Sequence, residues 1–207
     1  MNWKKLIKET LREDQANRGL AKHPRPLSEV RSVTVLFDAA DYAQLADVTA
    51  SLTDRGIRVR AWSFQRKYSP VFDRSYEMFV LNGRHIGRRH RLPDWAVNDF
   101  LYYEPDLLVD LSRRENPLTD YLAALSKAPF KIGFKKDVPE RYGLIYDVQQ
   151  SRLPLADNAR ELFRYYEAVT AEKREAVTAE KHEAVTAEKR EAVAAEKQAP
   201  RLSGNEK

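Results

Sequence analysis

The chain has 207 residues, with 36 Lys+Arg against 31 Asp+Glu and no cysteine. This length suits one core domain with appendages, and the absence of cysteine excludes disulfides, thiol chemistry and cysteine metal sites. Apolar segments stay short of the roughly 20 residues that a spanning helix needs, and the N-terminus lacks the apolar core of a signal peptide, so we expect a cytoplasmic protein without a membrane span.

The N-terminal segment, residues 1–26, is predicted to form a basic amphipathic helix followed by a linker. The helix is predicted over residues 2–18, and its apolar residues share one face: Trp3, Leu6, Ile7 and Leu11. Basic side chains lie off or beside that face, among them Lys4, Lys5 and Lys8. The segment KHPRP at 22–26 follows, and its two prolines exclude a helix there.

The core domain is predicted over residues 27–166, where strands and helices alternate. A buried first strand ends at Asp38, a helix covers Tyr42 to Leu52, and Gly56 follows as its C-terminal stop. Further elements are predicted in chain order: a strand at 57–62, a short strand at 78–81 and a helix at 94–103. Residues 65–76, between the second and third predicted strands, have no regular pattern.

The most informative segment is residues 106–134, which predicts a strand, a helix and a second strand. The apolar run 107–111 is broken only by Asp110, as in a strand buried on both faces. Asn116 can cap the next helix, and Pro117 suits its first turn. Residues 130–134 then alternate as a strand. Asp110 is interpreted either as a buried acid with a raised pKa or as a strand-end residue that binds a loop amide.

A last strand at 144–148 and a final helix from residue 155 complete the alternation. This pattern predicts an α/β fold, a Rossmann-like doubly wound and mostly parallel sheet of five to six strands with helical N- and C-terminal extensions. We expect the strand order 3-2-1-4-5-6, in which the first and fourth strands are neighbours.

The C-terminal tail, residues 167–207, contains a tandem repeat with a period of eight: EAVTAEKR, EAVTAEKH, EAVTAEKR and EAVAAEKQ. Eight residues at 100° each turn every valine by 80° from the previous one, so the valines form no continuous stripe and a coiled coil is not expected. Alanine, glutamate and lysine favour a helix intrinsically. We expect a solvated helical or disordered extension, with either no dedicated role or a role in binding a partner.

The core sequence resembles a small uncharacterised family of Bacteroidota. The resemblance rests on FDAADYAQLADVTASLTDRG, PDLLVDLS, LTDYLAALSKAPFKIGF and YGLIYDV, and it covers residues 30–166. It implies a Rossmann-like core and no particular activity. The segment PDLLVDLS…LAALSKAPFKIGF is also similar to the N-terminal half of heptosyltransferase-like glycosyltransferases, which implies a shared sheet architecture. Those enzymes use a second Rossmann-type domain that has no counterpart after residue 148.

A candidate ligand site follows from the doubly wound rule, which places ligands at the carboxyl ends of the strands where the strand order reverses. The polar residues expected at that edge are Asp38, Asp41, Ser112, Arg113, Arg114 and Asn116. The arginines can bind a phosphate near a helix N-terminus. The alternative is that Asp41 and Asn116 cap helices and that the arginines are solvated. The segment after the first strand reads FDAADY and lacks the glycines of a dinucleotide site, so no cofactor is expected.

A candidate patch for nucleic acid or an acidic partner lies in RHIGRRHR at 84–91. Its arginines are Arg84, Arg88, Arg89 and Arg91, and the N-terminal lysines Lys4, Lys5 and Lys8 would add to it. Residues 1–166 carry a net charge of +6, which permits a phosphate-rich partner without requiring one. The alternative is an exposed loop. His85 and His90 lack nearby acidic or cysteine ligands, so no metal is expected.

No motif of a nucleotide triphosphatase, serine hydrolase or zinc protease occurs in the chain. We therefore expect a non-catalytic binding or adaptor protein of the cytoplasm. One alternative is an enzyme or sensor that binds a phosphorylated or nucleotide ligand at the edge of the sheet. The other is a protein associated with RNA or the ribosome through its basic segments.

Overall fold

The computed structural model describes residues 24–65, 77–82, 92–114, 116–134, 142–148 and 151–171. The chain forms two compact units, Met1–Glu167 and Ala168–Lys207. The predicted helix at 2–18, the basic segment 84–91 and the tail beyond residue 171 lie outside the described residues. The proposed boundaries of the segments 1–26, 27–166 and 167–207 stay predictions.

Six parallel strands form a single sheet in the order β3-β2-β1-β4-β5-β6. Their bounds are β1 Ser32–Asp38, β2 Arg58–Gln65, β3 Glu77–Asn82, β4 Leu107–Asp110, β5 Phe130–Gly133 and β6 Leu144–Ile145. The predicted fold class and strand order are therefore confirmed. The second strand continues three residues beyond its predicted end because it pairs with β1 as far as Phe64 and with β3 as far as Gln65. The last strand is shorter than predicted, since only two of its residues pair with β5.

Within the described residues, four helices connect and flank the strands. They are α1 Tyr42–Thr53, α2 Asp94–Tyr102, α3 Pro117–Leu125 and a final helix α4 described over 155–171. Short 3-10 turns precede β1 at Leu27–Glu29 and α1 at Ala39–Asp41. Gly56 lies just after α1 with a φ of 75°, a left-handed conformation that glycine adopts without a steric penalty. None of the described helices has both the length and the apolar character needed to traverse a bilayer.

The helices cover both faces of the sheet, because strand side chains alternate between the two faces. On one face, Val33 and Val35 of β1 pack with Leu45 and Leu52 of α1, and α4 joins the same cluster. On the other face Leu36, Trp62 and Leu108 pack against α2 and α3. Trp62 stacks on Phe79 and meets Phe100 edge to face. The sheet is thus buried on both sides, as a doubly wound fold requires.

Two residues of β5 explain how the predicted strand–helix–strand unit closes. Lys131 is 4% exposed, and its Nζ donates a hydrogen bond of 2.8 Å to the carbonyl of Ala123. That carbonyl lies in the last turn of α3, where no later amide of the helix can reach it. A Cβ on Gly133 would lie 2.8 Å from the carbonyl oxygen of Asp110, so β5 can approach β4 this closely only with glycine there.

Candidate functional site

The carboxyl edge of the sheet brings together the residues that the sequence predicts there. Asp38 ends β1, and the loop that follows β4 passes directly beside it. One carboxylate oxygen of Asp38 accepts hydrogen bonds from the backbone amides of Arg113, at 2.9 Å, and Arg114, at 3.2 Å. The strand order reverses between β1 and β4, which makes these strands neighbours. Asp38 therefore contacts Arg113, which lies 75 positions later in the sequence.

The side chain of Arg113 also turns towards this edge, where it forms an ion pair of 2.5 Å with Asp41. Asp41 occupies the N-cap position of α1, but its side chain makes no capping hydrogen bond. Arg114 is exposed and makes no ion pair with any residue that the structure describes. Asn116 stands at the start of α3, where its carbonyl accepts the amide hydrogen of Asp120, as expected of an N-cap residue.

Asp110 lies at the end of β4 and is completely buried. Its carboxylate accepts a hydrogen bond of 2.6 Å from the hydroxyl of Tyr142 and one of 2.9 Å from the amide of Ser112. This contact with a loop amide at a strand end is one of the two interpretations given above. The sequence gives no signal for Tyr142, because it stands in an irregular segment whose spacing carries no pattern.

The pKa of Asp38 is raised above its ordinary value of 3.8, chiefly because burial removes the carboxylate from water. The two amide hydrogen bonds from residues 113 and 114 oppose this shift, while the negative charges of Asp41 and Asp110 add to it. The edge therefore holds three carboxylates close together, and the Arg113 guanidinium pairs with one of them, Asp41.

Most polar groups at the carboxyl edge are thus bound to one another. The exception is Ser112, whose fully buried Oγ has no hydrogen-bond partner within the described part of the chain. Within the same residues no group of three histidine, cysteine or acidic side chains is placed to hold a metal ion. The arrangement can orient the loop after β4, and Arg114 in that loop is exposed.

At the amino edge of the sheet a different carboxylate binds backbone amides at the start of β1. Asp106 precedes β4 and accepts hydrogen bonds from the amides of Arg31 and Ser32, at 2.9 and 3.1 Å, and from the Ser32 hydroxyl. Arg25 pairs with the same carboxylate at 3.3 Å, and the Arg25 carbonyl accepts a hydrogen bond from Tyr166 of α4. The segment before β1 is therefore fixed to this edge.

An open cavity of about 820 Å³ lies at the amino ends of β1, β2 and β3. Its lining includes Arg58, Arg60, Tyr102, Tyr103 and Glu77. The guanidinium of Arg60 is held between the rings of Phe79 and Tyr103 and pairs with Glu77 and Asp99. By contrast, Arg58 forms no ion pair among the described residues.

Two exposed aromatic side chains lie on α2, the helix that ends at this cavity. Trp95 is 52% exposed and Tyr102 is 89% exposed. They are seven residues apart, so they lie on one face of the helix. The sequence prediction concerned the apolar face of this helix and not the opposite one. The i, i+7 spacing of two large aromatic residues was the signal that could have revealed the exposed aromatic face.

The residues proposed for the basic patch lie outside the described part of the chain. They are Lys4, Lys5, Lys8, Arg84, Arg88, Arg89 and Arg91. No curated protein matches the chain. The pattern of a family of unknown function, DUF6913, matches residues 4–168, and the match includes the whole sheet together with both edges described above. The chain therefore belongs to the DUF6913 family.

Proposed function

We propose that this protein is a non-catalytic binding or adaptor protein. The observation that carries the proposal is that the described carboxylates at the carboxyl edge of the sheet are engaged within the chain. In a doubly wound fold this edge is where ligands and catalytic groups are expected, and polar groups there must be available to a substrate. Here Asp38, Asp41 and Asp110 are engaged by amides, a guanidinium and a phenol of the same chain.

The other support for a binding role is the distribution of exposed groups. The open cavity, with Tyr102 in its lining, lies at the amino ends of the strands and so away from the carboxylates of the carboxyl edge. Exposed tryptophan and tyrosine side chains are enriched at recognition surfaces because they supply a large contact area with little loss of conformational entropy. A protein that binds through this surface needs no catalytic group.

A thermal-shift screen and an affinity purification test the proposal together. Phosphorylated metabolites and nucleotides are expected to leave the melting temperature of the protein unchanged, because the described carboxylates of the carboxyl edge are already engaged within the chain. Purification from lysate, with and without nuclease, is expected to retain a macromolecular partner. Turnover or a ligand-induced rise of the melting temperature that is abolished by Arg114→Ser would contradict the proposal.

A second candidate function is an enzyme or sensor for a phosphorylated or nucleotide ligand at the carboxyl edge. Two observations favour it: the buried Ser112 hydroxyl without a partner among the described residues and the exposed Arg114 guanidinium close to it in sequence. A carboxyl group with a raised pKa, such as Asp38, is also typical of sites that transfer protons. Binding of inorganic phosphate that is lost in both Ser112→Ala and Arg114→Ser would support this candidate.

The location of the protein, the lineage of its family and its likeness to glycosyltransferases are proposals as well. We propose a cytoplasmic location and an origin of the family in Bacteroidota. We also propose that the likeness of residues 106–134 to heptosyltransferase-like glycosyltransferases reflects a shared sheet architecture. The strand–helix–strand unit alone accounts for that likeness, and fold does not by itself carry function.

A further inference from the structure

We propose that the cavity at the amino edge of the sheet binds a small organic carboxylate with a flat ring, which pairs with the Arg58 guanidinium and packs against Tyr102. This inference goes beyond the proposed function, because it assigns a small ligand to a described cavity and does not concern the macromolecular partner. It is carried by the lining of the cavity: an arginine without an ion pair among the described residues, two tyrosine rings, and other charged groups that are already paired.

Arg58 begins β2 and contributes to the wall of the cavity. Its carbonyl accepts a hydrogen bond of 3.2 Å from the hydroxyl of Tyr103, and its amide donates one of 2.9 Å to the carbonyl of Arg31. These bonds fix the backbone from which the side chain extends. Burial raises the pKa of Tyr103, and the positive charges of Arg58 and Arg60 oppose that shift. The guanidinium of Arg58 therefore lies close to the phenol of Tyr103.

The other charged groups of the lining have partners of opposite charge. Arg60 pairs with Glu77 through its guanidinium. Glu104 pairs with Lys127 at 3.3 Å. Among the described residues of the lining, Arg58 is therefore the charged side chain without an ion pair. An anion that enters the cavity can bind this guanidinium without displacing an existing pair.

A carboxylate suits this lining better than a phosphate. The planar fork of a guanidinium binds either group through two parallel hydrogen bonds. A phosphate monoester carries a charge of about −1.5 to −2 at neutral pH, whereas a carboxylate carries a single negative charge. The additional charge would enter a cavity that Glu77 and Glu104 also line, without a second unpaired cation in the described lining. The single charge of a carboxylate matches that of Arg58.

The volume of the cavity and its tyrosine rings favour a ligand with a flat ring. The cavity measures about 820 Å³, within the range of roughly 300–1,000 Å³ that is typical of small-molecule sites. Tyr102 is 89% exposed and contributes to the lining, so its ring is accessible to a ligand. One face of the Tyr103 ring is instead covered by the Arg60 guanidinium, 4.3 Å from the ring centroid. A flat ring that packs on Tyr102 would remove apolar surface of both rings from water.

Ligand-observed NMR titration of the full chain tests the inference with three probes that share one ring system: naphthoate, the neutral naphthamide and naphthyl phosphate. The informative variant is Arg58→Gln, which removes the charge of an exposed side chain and keeps the backbone pairing of β2. Arg152→Gln is the matched control, because Arg152 is also exposed and lies outside the cavity lining. Tyr102→Leu removes the exposed ring and keeps an apolar side chain. Circular dichroism confirms that each variant is folded.

The wild-type protein is expected to bind naphthoate with a dissociation constant of about 1 mM or below. Naphthamide and naphthyl phosphate should bind at least about tenfold more weakly, because the first lacks the charge and the second carries too much of it. Arg58→Gln should weaken naphthoate binding at least about tenfold, and Tyr102→Leu about threefold, whereas the control should stay within about twofold of the wild type.

The inference is overturned if the wild type does not bind naphthoate at millimolar concentrations, or if naphthamide or naphthyl phosphate binds as tightly. Unchanged naphthoate affinity in Arg58→Gln or in Tyr102→Leu would also overturn it. Loss of binding in Arg114→Ser, with binding intact in Arg58→Gln, would place the anion at the carboxyl edge and favour the second candidate function. Failure to bind naphthoate leaves the proposed binding function standing, because the purification from lysate tests that function separately.

Discussion

At each edge of the sheet a carboxylate binds backbone amides of a neighbouring segment, but the surroundings of the two carboxylates differ. At the carboxyl edge Asp38, from the end of β1, binds the amides that follow β4. At the amino edge Asp106, from the start of β4, binds the amides that precede β1. At the carboxyl edge Arg113 and Tyr142 bind two further carboxylates, whereas the amino edge opens into a cavity.

The difference shows that the fold alone does not decide how the polar groups at each edge of the sheet are used. Both carboxylates satisfy backbone amides that the ends of the strands would otherwise leave without a partner. Further side chains bind carboxylates at both edges: Arg113 and Tyr142 at the carboxyl edge, and Arg25 and the Ser32 hydroxyl at the amino edge. The hydrogen bonds of the carboxyl edge favour stability, and the open cavity lies at the other end of the sheet.

The largest effect is expected from Asp110→Ala, which removes the buried acceptor of the carboxyl edge. The Tyr142 hydroxyl and the Ser112 amide would both remain buried without their partner. The free energy of unfolding should fall by about 3 kcal/mol, and the melting temperature by about 6–12 °C. Chemical denaturation measures the change, and Tyr142→Phe, which removes one donor only, should cost about 1 kcal/mol. A loss below about 1 kcal/mol for Asp110→Ala would show that the hydrogen bonds of Asp110 contribute little to the free energy of unfolding.

Asp106→Ala makes the corresponding change at the amino edge and should have a smaller effect. Asp106 has three donors from residues 31 and 32, but its carboxylate is partly exposed, and water can replace it. We expect a loss of about 2 kcal/mol in the same denaturation experiment. An equal or larger loss than for Asp110→Ala would reverse the comparison between the edges.

Tyr166→Phe tests the contact that fixes residue 25 to the amino edge. The hydroxyl of Tyr166 donates a hydrogen bond of 2.6 Å to the Arg25 carbonyl, and its loss should cost about 1 kcal/mol. Burial raises the pKa of Tyr166 from 10.0 to about 12. The contribution of this group to stability is therefore complete below a pH of about 10 and is lost as the pH rises through about 12. Ultraviolet titration of the folded wild type, compared with Tyr166→Phe, should show this late ionisation; normal ionisation of all tyrosines would contradict it.

The smallest effect concerns the pH dependence contributed by Asp38. Because burial raises its folded pKa, folded Asp38 takes up a proton at a higher pH than the unfolded chain does. As the pH falls from about 7 towards 3.8, the wild type should gain stability relative to Asp38→Asn, and the gain should be lost again as the pH rises. Denaturation of both proteins across this range measures the difference. A constant difference between the two would show that the folded pKa is not raised.

The sequence determined the elements and their order, because periodicity and turn residues are local properties. The apolar run at 107–111, the stop at Gly56 and the alternation of strands with helices were enough to predict the doubly wound sheet and the neighbouring β1 and β4. The neighbouring positions of these two strands suffice to bring Asp38 close to the 112–116 loop. The ligand role of these residues stays a prediction.

Only the tertiary structure decided how the polar groups at each edge are used. The pairing of Asp41 with Arg113 and of Asp110 with Tyr142 joins residues 72 and 32 positions apart, and no local pattern specifies such contacts. The same holds for the amino edge, where Asp106 meets Ser32 across 74 positions and Arg60 meets Asp99 across 39. Helix and strand periodicity report which side chains are buried, whereas the hydrogen-bond partner of a buried carboxylate depends on which distant segments the fold brings to it.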